Sequence, residues 1–353
     1  MAKIILDCDL MKHRNSGLYQ YCLNIGNCVD KLLAEGGTKN SMRFYVPPGE
    51  AQAFDNSGHC IIEKKYHKFV NPHLWDCNIW HAPFQSGRII PVHNKKVKVL
   101  LTIHDLNCLH EGKPVEEQQK SLAHTQKLID RADAIVCISE FCKSDVLKNC
   151  DIKNKPVHVI HNGTHKLHEP ALNTISYKPH RPFLFGMGYV NRKKNFHVLL
   201  PMMQENNYEL VIAGRLDEPD YISMIKNLAK QLGIQDRVHL LGPVSENEKS
   251  WYLKNCLAYM HPSLAEGFGA PVVEAMAFGK PMFLSNYTSL PEIAGDVAFY
   301  FSNFEQAHMN YVFNSGMAVY GANGLSKRIV QKGNEYNWEK KAIEYMNVYT
   351  SLM

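Results

Sequence analysis

The stretch from His261 to Pro281 reads HPSLAEGFGAPVVEAMAFGKP, and the fold class can be argued from it. It follows LAYMH, a strand-like run ending near Met260. Glu266 sits in a loop with Gly267 and Gly269, and Pro271 takes a first-turn position where its missing N–H costs nothing. Gly279 and Pro281 then end the helix after about two turns. Strand, glycine-rich loop and helix N-terminus in that order present backbone N–H groups and a positive dipole end, which suits a phosphate. Glu274, one turn into the helix, carries a carboxylate that can accept from paired hydroxyls, a common way to grip a ribose.

The same alternation extends outward in both directions. KIILDCDL, MRFYV, NIWHAPF, VKVLLTI, DAIVCI and VHVIHN read as strands in the first half, several apolar on both faces as parallel strands covered by helices must be. Helical patterns at Ser16 to Ala34, Glu116 to Ile129 and Ser139 to Leu147 lie between them. FLFGMGYV, YELVIAG, VHLLG, LAYMH, PMFLS and VAFYF form a second strand set, and Ser245 with Glu248 is a capping box opening a helix there. Gly233 stands at the C-terminal position of another helix. EYNWEKKAIEYMNVYTSLM reads as a last helix with an aromatic stripe. The spacing predicts an α/β architecture of two doubly wound domains. They are placed at 1–170 and 180–335, joined by a linker within Gly163 to Pro182, and face a central cleft. Ligands of such sheets bind beyond the carboxyl ends of the strands.

Composition agrees. The chain has 353 residues, 45% hydrophobic and 21% charged, which excludes disorder and collagen-like order. Lys and Arg number 39 against 34 Asp and Glu, for net +5, with +4 in residues 1–170 and +1 in 171–353. That is too weak for nucleic acid, which calls for a dense basic stripe. Lys95, Lys96 and Lys98 read as a solvated strand entry. A mildly basic front half suits phosphate or anionic lipid. Nine of ten cysteines precede residue 151 without a CxxC pair, the pattern of reduced thiols in a cytoplasmic protein. Asp7 interrupts any signal-peptide core, and no apolar run reaches a membrane span, so any contact with the inner face of a membrane would be peripheral.

The E-x7-E spacing of Glu266 and Glu274, with EGFG and the short helix, resembles the signature of the family 4 retaining glycosyltransferases of GT-B fold. The resemblance takes in NSGLYQY, IHDL at Ile103 to Leu106, DAIVCISEFCKSDV, VIHNGT, GYVNRKKN, SLPEIAGDVAFYF and the NW of the last helix, in that order over most of the chain. It implies an N-terminal acceptor-side domain, a C-terminal nucleotide-sugar donor domain, and a C-terminal helix, 336–353, that crosses back to the first domain. It also implies a metal-independent hexosyltransferase, mannosyltransferase-like, acting in surface polysaccharide or lipopolysaccharide synthesis. No cofactor is required: the donor, GDP-mannose ahead of a UDP-hexose, is a substrate, and the acceptor is a saccharide or lipid-linked saccharide.

By position, the resemblance implies a role for each motif. Gly17 lies in the first strand–helix loop, where a side chain would block the donor diphosphate. Lys194, with Arg192 or Lys193 beside it, resembles the pair that neutralises the departing diphosphate. Glu266 is similar to the carboxylate near the transferred sugar, with Gly267, Phe268 and Gly269 supplying backbone N–H groups and Ala270 and Pro271 opening the helix. Glu274 resembles the ribose ligand, and His104 the residue at the sugar–acceptor junction. Breaking a sugar–diphosphate bond leaves charge on the diphosphate, so cations and N–H dipoles there lower the barrier. Retention is open to a covalent carboxylate intermediate or to front-face attack.

Plainer readings stand beside these. Glu274 can be a solvated helix carboxylate, Glu266 a dipole partner of its helix, Lys193 and Lys194 a solvated turn, and His104 a buried histidine whose tautomer Asp105 sets. Asp7-Cys8-Asp9 ends the first strand, the wrong place for a metal–diphosphate motif, and His161 and His165 flank a turn, which disfavours zinc. The competing functions are a nucleotide-sugar epimerase of the same architecture and a non-catalytic sugar-nucleotide-binding subunit.

Overall fold

The structure, a computed structural model, describes residues 3–14, 16–37, 40–68, 76–85, 90–91, 94–164, 175–322 and 324–353. Half of the stretch read as a linker, including His165, lies outside the described residues. The chain divides into two units, Met1–Gly163 with Tyr336–Met353, and Thr164–Glu335.

In the first unit the chain runs through β1 (Lys3–Asp7), α1 (Gly17–Glu35), β2 (Ser41–Val46), β3 (Cys60–Ile62), β4 (Ile79–Ala82) and β5 (Lys98–Ile103). It continues with α2 (Val115–Arg131), β6 (Ala134–Cys137), α3 (Glu140–Asn149) and β7 (Val157–Val159). The seven strands are parallel in the order β3-β2-β1-β4-β5-β6-β7. Sequence order reverses between β1 and β4, as in a doubly wound sheet. β4 is buried along its whole length, as burial on both faces requires.

The second unit holds β8 (Phe183–Met187), β9 (Glu209–Ala213), α4 (Pro219–Gln231), β10 (Val238–Gly242), α5 (Glu246–Asn255) and β11 (Ala258–His261). After these come α6 (Ala270–Met276), β12 (Met282–Ser285), α7 (Leu290–Ala294), β13 (Phe299–Phe301), α8 (Gln306–Ala322) and α9 (Leu325–Gly333). Its six strands are parallel in the order β10-β9-β8-β11-β12-β13. The reversal falls between β8 and β11, so the loops after these two strands leave one edge side by side. The expected capping box at Ser245 and Glu248 opens α5. β3, α8 and α9 were not expected from the sequence.

The last helix, α10 (Trp338–Leu352), packs on the first unit. Trp338, Tyr345 and Tyr349 enter its core beside Tyr21 and Phe44, each buried side chain contributing about 1.5–3 kcal/mol. Buried hydroxyls need partners, and these have them. Tyr21 donates to the Tyr345 hydroxyl at 2.5 Å, and Tyr349 is 2.7 Å from His81 Nδ1, whose Nε2 is 2.8 Å from Thr102 Oγ1. Among the described residues no helix is long and apolar enough to cross a membrane.

Candidate functional site

Glu266 and Lys194 come together in the second unit. Lys194 follows β8 in a short turn, Arg192–Lys194, capped by Asn191, whose Oδ1 accepts from the Lys194 amide at 3.1 Å. Glu266 follows β11, the neighbouring strand across the reversal. The Lys194 ammonium donates to Glu266 Oε1 at 2.5 Å, with both side chains 11% exposed. The two loops are also joined through the backbone, since the Leu264 amide donates to the Lys193 carbonyl at 2.8 Å. Burial acts to raise the Glu266 pKa, but the Lys194 charge, the hydrogen bond from His261 and the Lys193 charge outweigh it and hold it well below the ordinary value. Glu266 is therefore an ionised, largely desolvated carboxylate facing a cation.

A third loop braces this pair. Thr288 Oγ1 accepts from the Glu266 amide at 2.9 Å, and Ser289 donates to the Glu266 carbonyl at 2.9 Å. Thr288 has φ +53°, which a β-branched residue rarely holds. Gly269, at φ +88°, N-caps α6, and a Cβ there would stand 2.9 Å from Leu290 Cδ2, so the turn requires glycine. Ala270 and Pro271 are the first two residues of α6, and Phe268 is buried.

The remaining expected residues are dispersed. Arg192 lies with its guanidinium 5.8 Å from the Tyr221 ring centroid. The Glu274 side chain is 21% exposed, and its carboxylate is engaged along the helix side by Lys249, at 3.0 Å. Burial raises the Glu274 pKa, and the Lys249 charge and hydrogen bond only partly offset that. Gly17 is the first residue of α1 rather than a loop residue, capped by Ser16, whose Oγ accepts from Tyr19 N at 3.2 Å. A Cβ on Gly17 would meet nothing within 4 Å.

His104, in the first unit, follows β5 and is 8% exposed. Its Nε2 donates to the Pro83 carbonyl at 2.8 Å, and its ring meets Tyr21 edge-on at 4.9 Å. The Pro83 carbonyl, not Asp105, therefore sets its tautomer; Asp105 accepts instead from the Asn107 amide at 3.0 Å. Burial lowers the His104 pKa to about 4, so the ring is neutral near pH 7.

Sequence reasoning missed His261, Thr288, Ser289 and Lys249. None carries a spacing that sets it apart from an ordinary strand, turn or helix residue, and their partners are settled only by the strand order.

Residues 41–165 match the family model described as Glycosyltransferase Family 4, and residues 175–307 the one described as Glycosyl transferases group 1. The chain is 27% identical over 228 residues to the serotype-specific mannosyltransferase WbdA of Escherichia coli, a match that takes in 58% of this chain and 27% of that protein. It thus spans about a quarter of that relative's length. It is 24% identical over 283 residues to the O-antigen chain mannosyltransferase B of Escherichia coli, with 72% of this chain and 71% of the relative covered. Among solved structures, sucrose-phosphate synthase (tll1590) from Thermosynechococcus elongatus superposes with a TM-score of 0.76 at 18% identity, over 100% of this chain and 99% of that one. Anabaena Alr3699/HepE in complex with UDP-glucose gives 0.77 at 14% identity, over 99% and 100%. At these identities the structural likeness bears on the fold alone.

Proposed function

Because the chain belongs to the family 4 and group 1 glycosyltransferases, of GT-B fold, we propose that it transfers a hexose, mannose on our reading, from a nucleotide diphosphate sugar to a saccharide or lipid-linked saccharide acceptor. The transfer retains the anomeric configuration and needs no metal ion. The observation that carries the proposal is the buried Lys194–Glu266 pair beside the glycine loop, with Arg192 and Lys193 in the same turn.

In the reaction the bond from the anomeric carbon to the diphosphate oxygen breaks, and a bond to an acceptor hydroxyl oxygen forms. Negative charge grows on the diphosphate, and Lys194, with Arg192 or Lys193, is the cation placed to meet it. Glu266 is a poor nucleophile while ion-paired and held at a depressed pKa, which favours front-face attack: the acceptor oxygen bonds to the anomeric carbon and its proton passes to the departing diphosphate, with no covalent ester formed on the carboxylate. Gly267, Phe268 and Gly269 line the donor sugar through their backbone, Ala270 and Pro271 open the helix behind them, and Glu274 accepts from the ribose hydroxyls. In the first unit, His104 serves the acceptor side and Gly17 leaves room for the diphosphate. The mannosyltransferases among the relatives support mannose, and those named for the O-antigen chain support a surface polysaccharide acceptor. Such an acceptor would place the protein in the cytoplasm, at the inner face of the membrane.

The test is transfer from GDP-mannose and UDP-glucose to mannose-terminated oligosaccharides in EDTA, beside thermal shifts with GDP, UDP and ADP. Transfer from GDP-mannose in EDTA and the largest shift with GDP are expected. Activity lost to EDTA and restored by manganese would refute metal independence, and a largest shift with UDP would move the donor to a UDP-hexose.

A further inference from the structure

We infer that His261 is a positioning residue that fixes the Glu266 carboxylate and reserves one of its oxygens for the donor sugar; this rests on the glycosyl-transfer reading above. His261 closes β11 and is fully buried. Its Nε2 is 2.8 Å from Glu266 Oε1, and its Nδ1 is 3.1 Å from the hydroxyl of Tyr259, also fully buried, two residues back on the same strand.

The direction of these bonds follows from the charges. Glu266 is ionised and can only accept, so His261 Nε2 carries the proton. Burial lowers the His261 pKa, keeping the ring neutral, so Nδ1 is an acceptor and the Tyr259 hydroxyl donates to it. A one-way chain results, from Tyr259 through His261 to Glu266.

Its end point matters most. The Lys194 ammonium and His261 Nε2 both donate to Oε1. Among the described residues no protein donor reaches Oε2, which is left to accept from a hydroxyl of the donor sugar. Lys194 cannot hold this geometry alone. It sits on a flexible stem and must also answer the charge growing on the diphosphate, whereas the imidazole is short, rigid and locked by Tyr259. His261 keeps the carboxylate in place when Lys194 shifts. A histidine that merely fills the core would be indifferent to the chemistry of its replacement at equal volume.

Two variants separate these roles. H261F keeps the bulk and removes the donor, and H261Q restores an amide N–H near the Nε2 position. With GDP-mannose and a mannose-terminated oligosaccharide, H261F should lower kcat by about 10–100-fold, the worth of one hydrogen bond to a charged group. Its donor KM should stay near wild type, its melting temperature should fall because the buried Tyr259 hydroxyl loses its acceptor, and H261Q should recover most of the turnover. The H261F/E266Q double variant should be no slower than E266Q, because the histidine acts through that carboxylate. Wild-type kcat in H261F, or H261Q as slow as H261F, would overturn the inference. If the wild-type protein transfers no sugar from any donor, the functional reading falls instead, and nitrogen-15 NMR of the histidines still decides this point. A neutral Nε2–H tautomer of His261 that responds to E266Q supports the arrangement; an Nδ1–H tautomer or no response refutes it.

Discussion

Gly188 lies against the stem of Lys194: a Cβ built on it would stand 2.8 Å from Lys194 Cε, and its φ of +143° is one that residues with side chains rarely adopt. Gly188→Ala therefore strains the backbone after β8 and pushes Lys194 off Glu266. We expect a loss of about 1–3 kcal/mol in urea unfolding and a fall in kcat toward that of Lys194→Ala, with donor KM changing less. A folded Gly188→Ala protein with wild-type kcat would show that the placement of Lys194 is immaterial to turnover.

Lys249 and Glu274 should give nucleotide binding a pH dependence. On the proposed function Glu274 accepts from two ribose hydroxyls and must be ionised to do so; its pKa is raised by burial, so affinity should rise with pH through that raised value and level off above it. Lys249→Met removes the cation that offsets the burial, so the rise should move to higher pH. Calorimetric titration with GDP and with UDP from about pH 5 to about pH 8 checks this. Identical profiles in the two proteins would remove Glu274 from the binding site.

Acid should weaken the first unit through its buried histidines. Burial lowers the His81 pKa to about 3 and that of His104 to about 4, against about 6.5 in an unfolded chain. The unfolded state then takes up protons that the folded state refuses. Stability is complete above about pH 6.5 and is lost as the pH falls toward the folded values, at up to about 1.4 kcal/mol per pH unit for each ring. His104→Gln keeps an amide for the Pro83 carbonyl and removes one titrating group. Its unfolding midpoint should fall less between about pH 7 and about pH 5 than that of the wild type; parallel losses would mean that His104 titrates normally.

Removing residues from Asn337 onward should unfold the first unit. The deletion takes away Trp338, Tyr345 and Tyr349, together with the partners of Tyr21 and His81. At about 1.5–3 kcal/mol per buried side chain the loss rivals the whole stability of a domain, about 5–15 kcal/mol. Hydrogen exchange should show β1, β4 and β5 losing protection. Unchanged protection there would refute the dependence.

Much of this architecture can be read from residue pattern. Parallel strands buried on both faces are continuous apolar runs, and VKVLLTI or YELVIAG cannot be much else. β3 escaped notice because three residues at a sheet edge carry no period. α8 escaped because HMNYVFNSGMAVYG mixes glycine with β-branched and aromatic residues and offers few charges to mark a polar face. At the site, Glu266 and Gly269 are legible from the glycine-rich loop that opens a helix, whereas Lys194, one of a short basic run, stands out only through the family resemblance. His261 does not stand out, because a histidine ending a strand looks like any other until the loop five residues on folds back over it. Lys249 reaches Glu274 from another helix, 25 positions away in sequence, and no local pattern connects the two.

The place of α10 also constrains how the protein is made. The first unit is built from the first 163 residues and the last 18, and on a ribosome those last residues emerge only after everything between them has been synthesised. The nascent N-terminal sheet must wait with the Tyr21, Thr102 and His81 face uncovered, while the intervening unit emerges with all of its strands and can fold. Synthesis then runs opposite to the usual N-terminal-first order: the half that begins the chain is the last to be completed, and a ribosome stalled before Tyr336 releases a protein whose second half is whole and whose first half is open.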